Sequence, residues 1–115
     1  MAAPDLPRSP LAPAHFPDLP QVGGMRAAVG RLGLYKHERD DLLLVSFEQG
    51  ASVGGAFTRS ATRSADVDWC RKALLAGGGR ARALVCNAGN SNAFTGPAGV
   101  AKHAATTAEA AALLG

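Results

Sequence analysis

The chain has 115 residues and a mass of 11.7 kDa, and its 24 alanines and 14 glycines make up a third of it, so only 30 larger apolar side chains remain to fill an interior. That length bounds the chain to one domain with a thin core, and no run of 18 apolar residues is present to span a membrane. The net charge of +3 comes from a cluster at Arg59, Arg63, Arg71, Arg80 and Arg82 that is mixed with Asp66 and Asp68. It lacks the interleaved aromatics of a nucleic-acid platform, so neither nucleic acid nor membrane is expected as a partner.

Residues 1–20 hold six of the seven prolines and read as an extended arm, because each proline fixes its own φ and biases the residue before it away from helix. The arm has no basic start followed by an apolar stretch, which argues against a secretory signal, and Asp5 and Asp18 argue against a transit peptide. Folded structure is expected over 21–115. A first strand is entered through Gly23-Gly24 and runs from Val22 to Val29, and Gly30 and Gly33 break it before the polar turn Lys36–Asp41. Leu42-Leu43-Leu44-Val45-Ser46-Phe47 reads as a strand covered on most of both faces, bounded by Gln49-Gly50. Val53–Thr58 reads as a further strand at hairpin distance.

Ser64 or Asp66 can cap a helix that carries Val67, Cys70, Leu74 and Leu75 on one stripe, and Gly77-Gly78-Gly79 stops it. Ala83-Leu84-Val85-Cys86 reads as a buried strand running into a loop from Asn87 to Pro97. A final helix follows with Ala101, Ala104, Ala105, Ala108, Ala111 and Ala112 on one flat face, suited to packing on a sheet, and Gly115 stands either at its C-cap or at a cut. Strand, strand, strand, helix, strand, helix implies a mixed α/β layer fold. Cys70 and Cys86, 16 residues apart with no CxxC, fit reduced cytosolic thiols better than zinc or a disulfide framework.

The chemically unusual stretch is the loop, with Asn87, Asn90, Asn92, Ser91 and Thr95 between a strand and a helix start. Side-chain amides both donate and accept, so such a loop either satisfies its own backbone or meets a carboxylate or amide of a substrate. Leu84–Gly89 looks like the Asn-Ala-Gly strand end of short-chain dehydrogenases, but the glycine-rich turn that would receive a pyrophosphate is missing, as is the Gly-Lys-Ser/Thr of a phosphate loop. A small non-enzymatic module is a further alternative, and it predicts a monomer that melts cooperatively on its own.

Val85 to Gly96 resembles the Asn-Ser-Gly-Asn-Ala-Asn-Ala-x-Thr-Gly loop of the ornithine acetyltransferases, the bifunctional glutamate N-acetyltransferases of arginine biosynthesis. Gly54–Ser60 is similar to that family's Ala-Gly-Val-Phe-Thr-Arg-Asn/Ser strand end, and Asp68-Trp69-Cys70-Arg71 to its next helix. Ser9–Pro13 with Phe16-Pro17 resembles its proline-rich arm, and Lys36 and Asp41-Leu42 also match. The chain departs from the pattern at Asp66, where the family usually has proline, and at Cys86, Ala88 and Ser91.

The resemblance implies a sheet-and-helix sandwich and an enzyme that cuts itself before an internal threonine into α and β chains. The freed threonine would carry acetyl from N-acetylornithine, or from acetyl-CoA, to glutamate, with its own α-amine as base and a Thr-Gly pair as oxyanion hole. None of Thr58, Thr62, Thr95, Thr106 and Thr107 stands in the cleavage context, and the loop alignment places Thr95-Gly96 outside the oxyanion pair. The resemblance therefore carries no catalytic residue onto this chain, which would be the N-terminal part of an α chain, incomplete at its C-terminus and inactive alone. Asn87, Gly89, Asn90, Asn92, Thr95 and Gly96 would support the site. The implied partners are the rest of the α chain and the β chain, in a cytoplasmic α/β heterotetramer. No metal and no cofactor beyond acetyl-CoA is implied.

Overall fold

A computed structural model describes residues 7–35, 38–89 and 91–115. The elements in chain order are β1 (Met25–Gly30), β2 (Leu42–Ser52), α1 (Ala65–Ala76), β3 (Arg80–Asn87) and α2 (Gly96–Leu114). The strands form one antiparallel sheet in the order β1-β2-β3, with Ala27 opposite Val45 and Val45 opposite Leu84. α2 lies against both α1 and β3. This is the mixed α/β class expected from the sequence. The antiparallel pairing also removes the dehydrogenase reading of Leu84–Gly89, since a dinucleotide fold needs parallel strands.

The expected hairpin after Phe47 does not form. β2 continues through Gln49-Gly50 to Ser52, and its register on β3 shifts between Ser46 and Ala51. Gly50 supplies the left-handed backbone that this bulge needs, with φ +72, so the glycine bends one strand instead of ending it. Residues 53–60 accordingly form no strand. Val53 donates to the Gly79 carbonyl at 2.7 Å, and the Phe57 ring folds back to within 3.2 Å of where a Cβ on Gly55 would stand.

α1 starts at Ser64, which takes the extended N-cap conformation but makes no side-chain cap bond. It ends through the glycine triplet, where Gly78 and Gly79 have φ of +59 and +75 and donate to Leu75 and Leu74. Val67, Cys70 and Leu74 are half-buried, as the stripe predicted, and Ala73 joins them, but Leu75 faces outward at 84% exposure.

Interior packing is thinner than the apolar runs implied. No hydrophobic residue among those described is buried, and Asp41 alone among polar ones is. β3 alternates, with Ala81, Ala83 and Val85 half-buried while Leu84 and Cys86 are exposed, so it is a one-sided strand instead of a buried one. β2 is half-buried from Leu42 to Phe47. The helix over the alanine run exists, but Ala101, Ala104, Ala105, Ala108, Ala111 and Ala112 all face outward. The half-buried positions along α2 are His103, Thr107, Ala110 and Leu114, with Gly99 buried, a stripe on nearly the opposite side of the helix from the alanines. Larger side chains and a glycine contact win over alanine here because they leave fewer gaps against α1 and β3.

Candidate functional site

The Asn-rich loop is anchored before it begins. Asp41, 3% exposed, accepts the backbone N–H of Leu32 with Oδ1 and that of Leu34 with Oδ2, each at 2.6 Å. Its own N–H donates to the Gly30 carbonyl, and its carbonyl accepts from Ala88 at 2.9 Å. One residue therefore joins the end of β1, the start of β2 and the first step beyond β3. The N–H donors of Leu32 foremost, with those of Leu34, Gly33 and Tyr35, hold the Asp41 carboxyl below the ordinary aspartate range against the opposing effect of burial.

From there the loop divides into two parts. Asn87 closes the ladder opposite Leu42. Gly89, at φ +96, brings the backbone so near residues 34–35 that a Cβ there would lie 3.1 Å from the Leu34 carbonyl and from the Tyr35 ring. Asn90, expected to belong to the same loop, lies outside the described residues, as does Lys36 of the family pattern.

The second part bends sharply into α2. Asn92 and Phe94 take φ of +51 and +57, unusual for residues with side chains. The Asn92 Nδ2 donates to the Gly99 carbonyl at 3.3 Å and faces Asp66 Oδ1 at 3.5 Å, while the Thr95 hydroxyl donates to the Asn92 carbonyl at 2.8 Å. Thr95 stands at the N-cap of α2, and Gly96 and Pro97 begin the helix, proline being tolerated there because the first turn needs no N–H donor from it.

Asn92, Thr95 and Gly96 line one wall of an open cleft of about 360 Å³, with Thr62, Arg63 and Asp68 opposite. The N-terminal ends of both helices border this cleft. Arg63 is held in place by Asp68, whose Oδ1 accepts from Nε at 2.5 Å, and by the Ser60 carbonyl. That Arg63 bond is the main reason the Asp68 carboxyl lies below its usual range. Of the six loop residues singled out from the sequence, three thus reach the cleft, two brace the loop's root, and Asn90 is not described.

The contacts of three side chains close to the loop, Asp66, His103 and Asp41, are not evident from the sequence alone. Asp66, read as a helix cap, instead accepts from His103 Nδ1 at 2.5 Å, and the His103 ring lies 5.1 Å from that of Trp69 at an angle of 56°. The partners lie 37 residues apart and on separate helices, so no local spacing signals them. Asp41 had one visible signal, an acid immediately before an apolar strand. Cys70 and Cys86 are both free, and burial first, then Asp66, pushes the Cys70 thiol up. Among the described residues no group of histidines, cysteines and acids is arranged to hold a metal, and no helix is long and apolar enough to cross a membrane.

A family model described as the ArgJ family matches residues 26–115. The chain is 54% identical over 85 residues to the arginine biosynthesis bifunctional protein ArgJ of Caulobacter vibrioides, covering 73% of this chain and 21% of that protein. Against the protein of the same name from Agrobacterium fabrum it is 49% identical over 107 residues, covering 93% of this chain and 25% of the relative. The chain thus spans a quarter or less of the length of these two relatives. Among solved structures it is similar to the Mycobacterium tuberculosis ornithine acetyltransferase complexed with ornithine, with a TM-score of 0.61 and 39% identity over 69% of this chain and 40% of that one. ArgJ of Bacillus halodurans gives a TM-score of 0.63 at 26% identity with the same coverage. With the family match extending over most of its length, from β1 to the end of α2, the chain belongs to the ArgJ family.

Proposed function

We propose that this chain is part of an acetyltransferase of arginine biosynthesis that moves acetyl from N-acetylornithine to glutamate. The observation that carries the reading is the family match over residues 26–115, joined to relatives named as bifunctional arginine-biosynthesis proteins. The similar M. tuberculosis enzyme was solved with ornithine, which is the deacetylated product such a transfer leaves behind. Acetyl-CoA serves as a second donor in this reading, in keeping with the word bifunctional in the relatives' names.

The nucleophilic threonine and the oxyanion donors lie in segments other than these 115 residues. The chain contributes the proline-rich arm over 1–20 and, over 21–115, the first part of the α/β body, with the loop from Asn87 to Gly96 bordering the substrate pocket. Amides and hydroxyls are suited to that place because they meet the carboxylate and amide groups of amino-acid substrates without adding charge. The partners are the remainder of the α chain and the β chain, assembled as an α/β heterotetramer in the cytoplasm.

The test is an assay of N-acetylglutamate and ornithine formed from N-acetylornithine and glutamate. A polypeptide carrying this chain together with the further segments its relatives possess is expected to form both, and the 115 residues alone neither. Absence of transfer by the longer polypeptide overturns the activity, and transfer by the 115 residues alone overturns the placement of the nucleophile elsewhere.

A further inference from the structure

α1 and α2 are held together by little apolar packing, since neither contains a buried hydrophobic residue. Among the described residues, one side-chain hydrogen bond joins them, from His103 Nδ1 to Asp66 Oδ1 at 2.5 Å. Thr107, one turn further along the same stripe of α2, directs its hydroxyl into its own helix, to the His103 and Ala104 carbonyls. The His103 side chain is 15% exposed, and the Trp69 ring, three residues on from Asp66, lies against it. Among the described residues, its buried Nε2 has no hydrogen-bond partner. The ring is therefore oriented through one nitrogen alone, and Asp66 supplies that contact.

The same Asp66 oxygen faces Asn92 Nδ2 at 3.5 Å, and that nitrogen also donates to Gly99 in the first turns of α2. Asn92 and Phe94 stand in the left-handed region, where side-chain-bearing residues persist only when their surroundings hold them. Asp66 is thus placed between the strained turn and the helix that the turn begins.

We propose that Asp66 and His103 are a positioning pair: together they fix the N-terminal half of α2 and, through Asn92, the wall of the cleft formed by Asn92, Thr95 and Gly96. The functional meaning of that wall rests on the reading that the loop borders the substrate pocket. The pair itself is tested without activity.

The experiment is amide hydrogen exchange on the protein carrying this chain, comparing residues 91–99 with Leu43 and Val45 of β2. Asp66→Ala keeps a strong helix former in α1 and removes the acceptor. It is expected to speed exchange over 91–99 about tenfold, the scale of losing a hydrogen bond to a charged group, while β2 is unchanged. His103→Ala is expected to do the same, and the double variant to be no faster than either single one. Asp66→Asn, whose Oδ1 still accepts from an Nδ1–H, is expected to stay within about twofold of the parent.

Unchanged exchange over 91–99 in Asp66→Ala overturns the proposal, and so does equal acceleration in β2, which would mark general destabilisation. An Asp66→Asn variant as fast as Asp66→Ala overturns it also, because acceptor geometry would then not be what holds the loop. The tenfold effect in a protein that transfers no acetyl group keeps the positioning pair and removes the substrate reading instead.

Discussion

Replacing Gly99 by alanine sets helix propensity against packing at a single atom. Gly99 is the buried residue of α2, and a Cβ added to it would stand inside contact distance of Thr95 Oγ1, 2.8 Å from Thr95 Cβ and 3.3 Å from Asn92 Oδ1. In an open helix the exchange would stabilise by about 1 kcal/mol, because alanine loses less backbone entropy than glycine. Here Thr95 has to turn away, breaking its bond to the Asn92 carbonyl, at about 1 kcal/mol. Turning does not relieve the Cβ–Cβ approach, and forcing a methyl into an occupied site costs about 1–3 kcal/mol more. The balance is a loss of about 1–3 kcal/mol, which in a domain of this size lowers the melting temperature by roughly 4–10 °C. Thermal melts followed by circular dichroism at 222 nm would measure it. Thr95→Gly together with Gly99→Ala removes both close contacts and is expected to recover most of the loss, glycine being an acceptable N-cap. A Gly99→Ala variant that melts at or above the parent temperature would refute the reasoning, since propensity alone would then account for the site.

Gly89→Ala is expected to cost about 1–3 kcal/mol through its left-handed backbone, aggravated by the 3.1 Å approach to Leu34 and Tyr35, and equilibrium unfolding in urea would show it as a lower midpoint. Phe94→Gly acts in the opposite sense: the side chain is 85% exposed and the backbone left-handed, so a gain of up to about 1 kcal/mol is expected, read in the same melts. Asp41 carries a pH dependence. Its folded pKa lies below the unfolded value near 3.8, so its contribution is present above that unfolded value and is lost as pH falls through the lower, folded value. Asp41→Asn presents an amide N–H to one of the two backbone donors and is expected to be less stable at pH 7 and to lose less on acidification, which melts between pH 7 and pH 2.5 would establish.

The family was legible because its marks are local. The Asn-rich loop, the Phe57-Thr58-Arg59-Ser60 segment and the Asp68–Arg71 helix segment are contiguous runs, and residue identity at fixed spacing survives without any knowledge of the fold. Element types were legible where one local preference dominated, as in the apolar run from Leu42 and the glycine triplet after Ala76. Gly50 shows where that logic fails. A glycine in left-handed conformation serves a turn or a bulge equally well, and the choice was made by β3, whose Ala81 and Arg80 continue the pairing beyond the bend.

By itself the sequence determined the mixed α/β class, the two helices with the glycine stop of the first, and a composition too rich in alanine and glycine for a deep interior. The tertiary structure alone decided which face of α2 turns inward, that Asp41 ties three strand ends together, and that Asp66 meets His103 across 37 residues. The physical reason is one of range. Backbone propensity and capping act within a turn or two of the chain, whereas side-chain contact depends on how separate elements pack, and in α2 a histidine, a threonine and a glycine turn inward while the alanine face lies on nearly the opposite side of the helix.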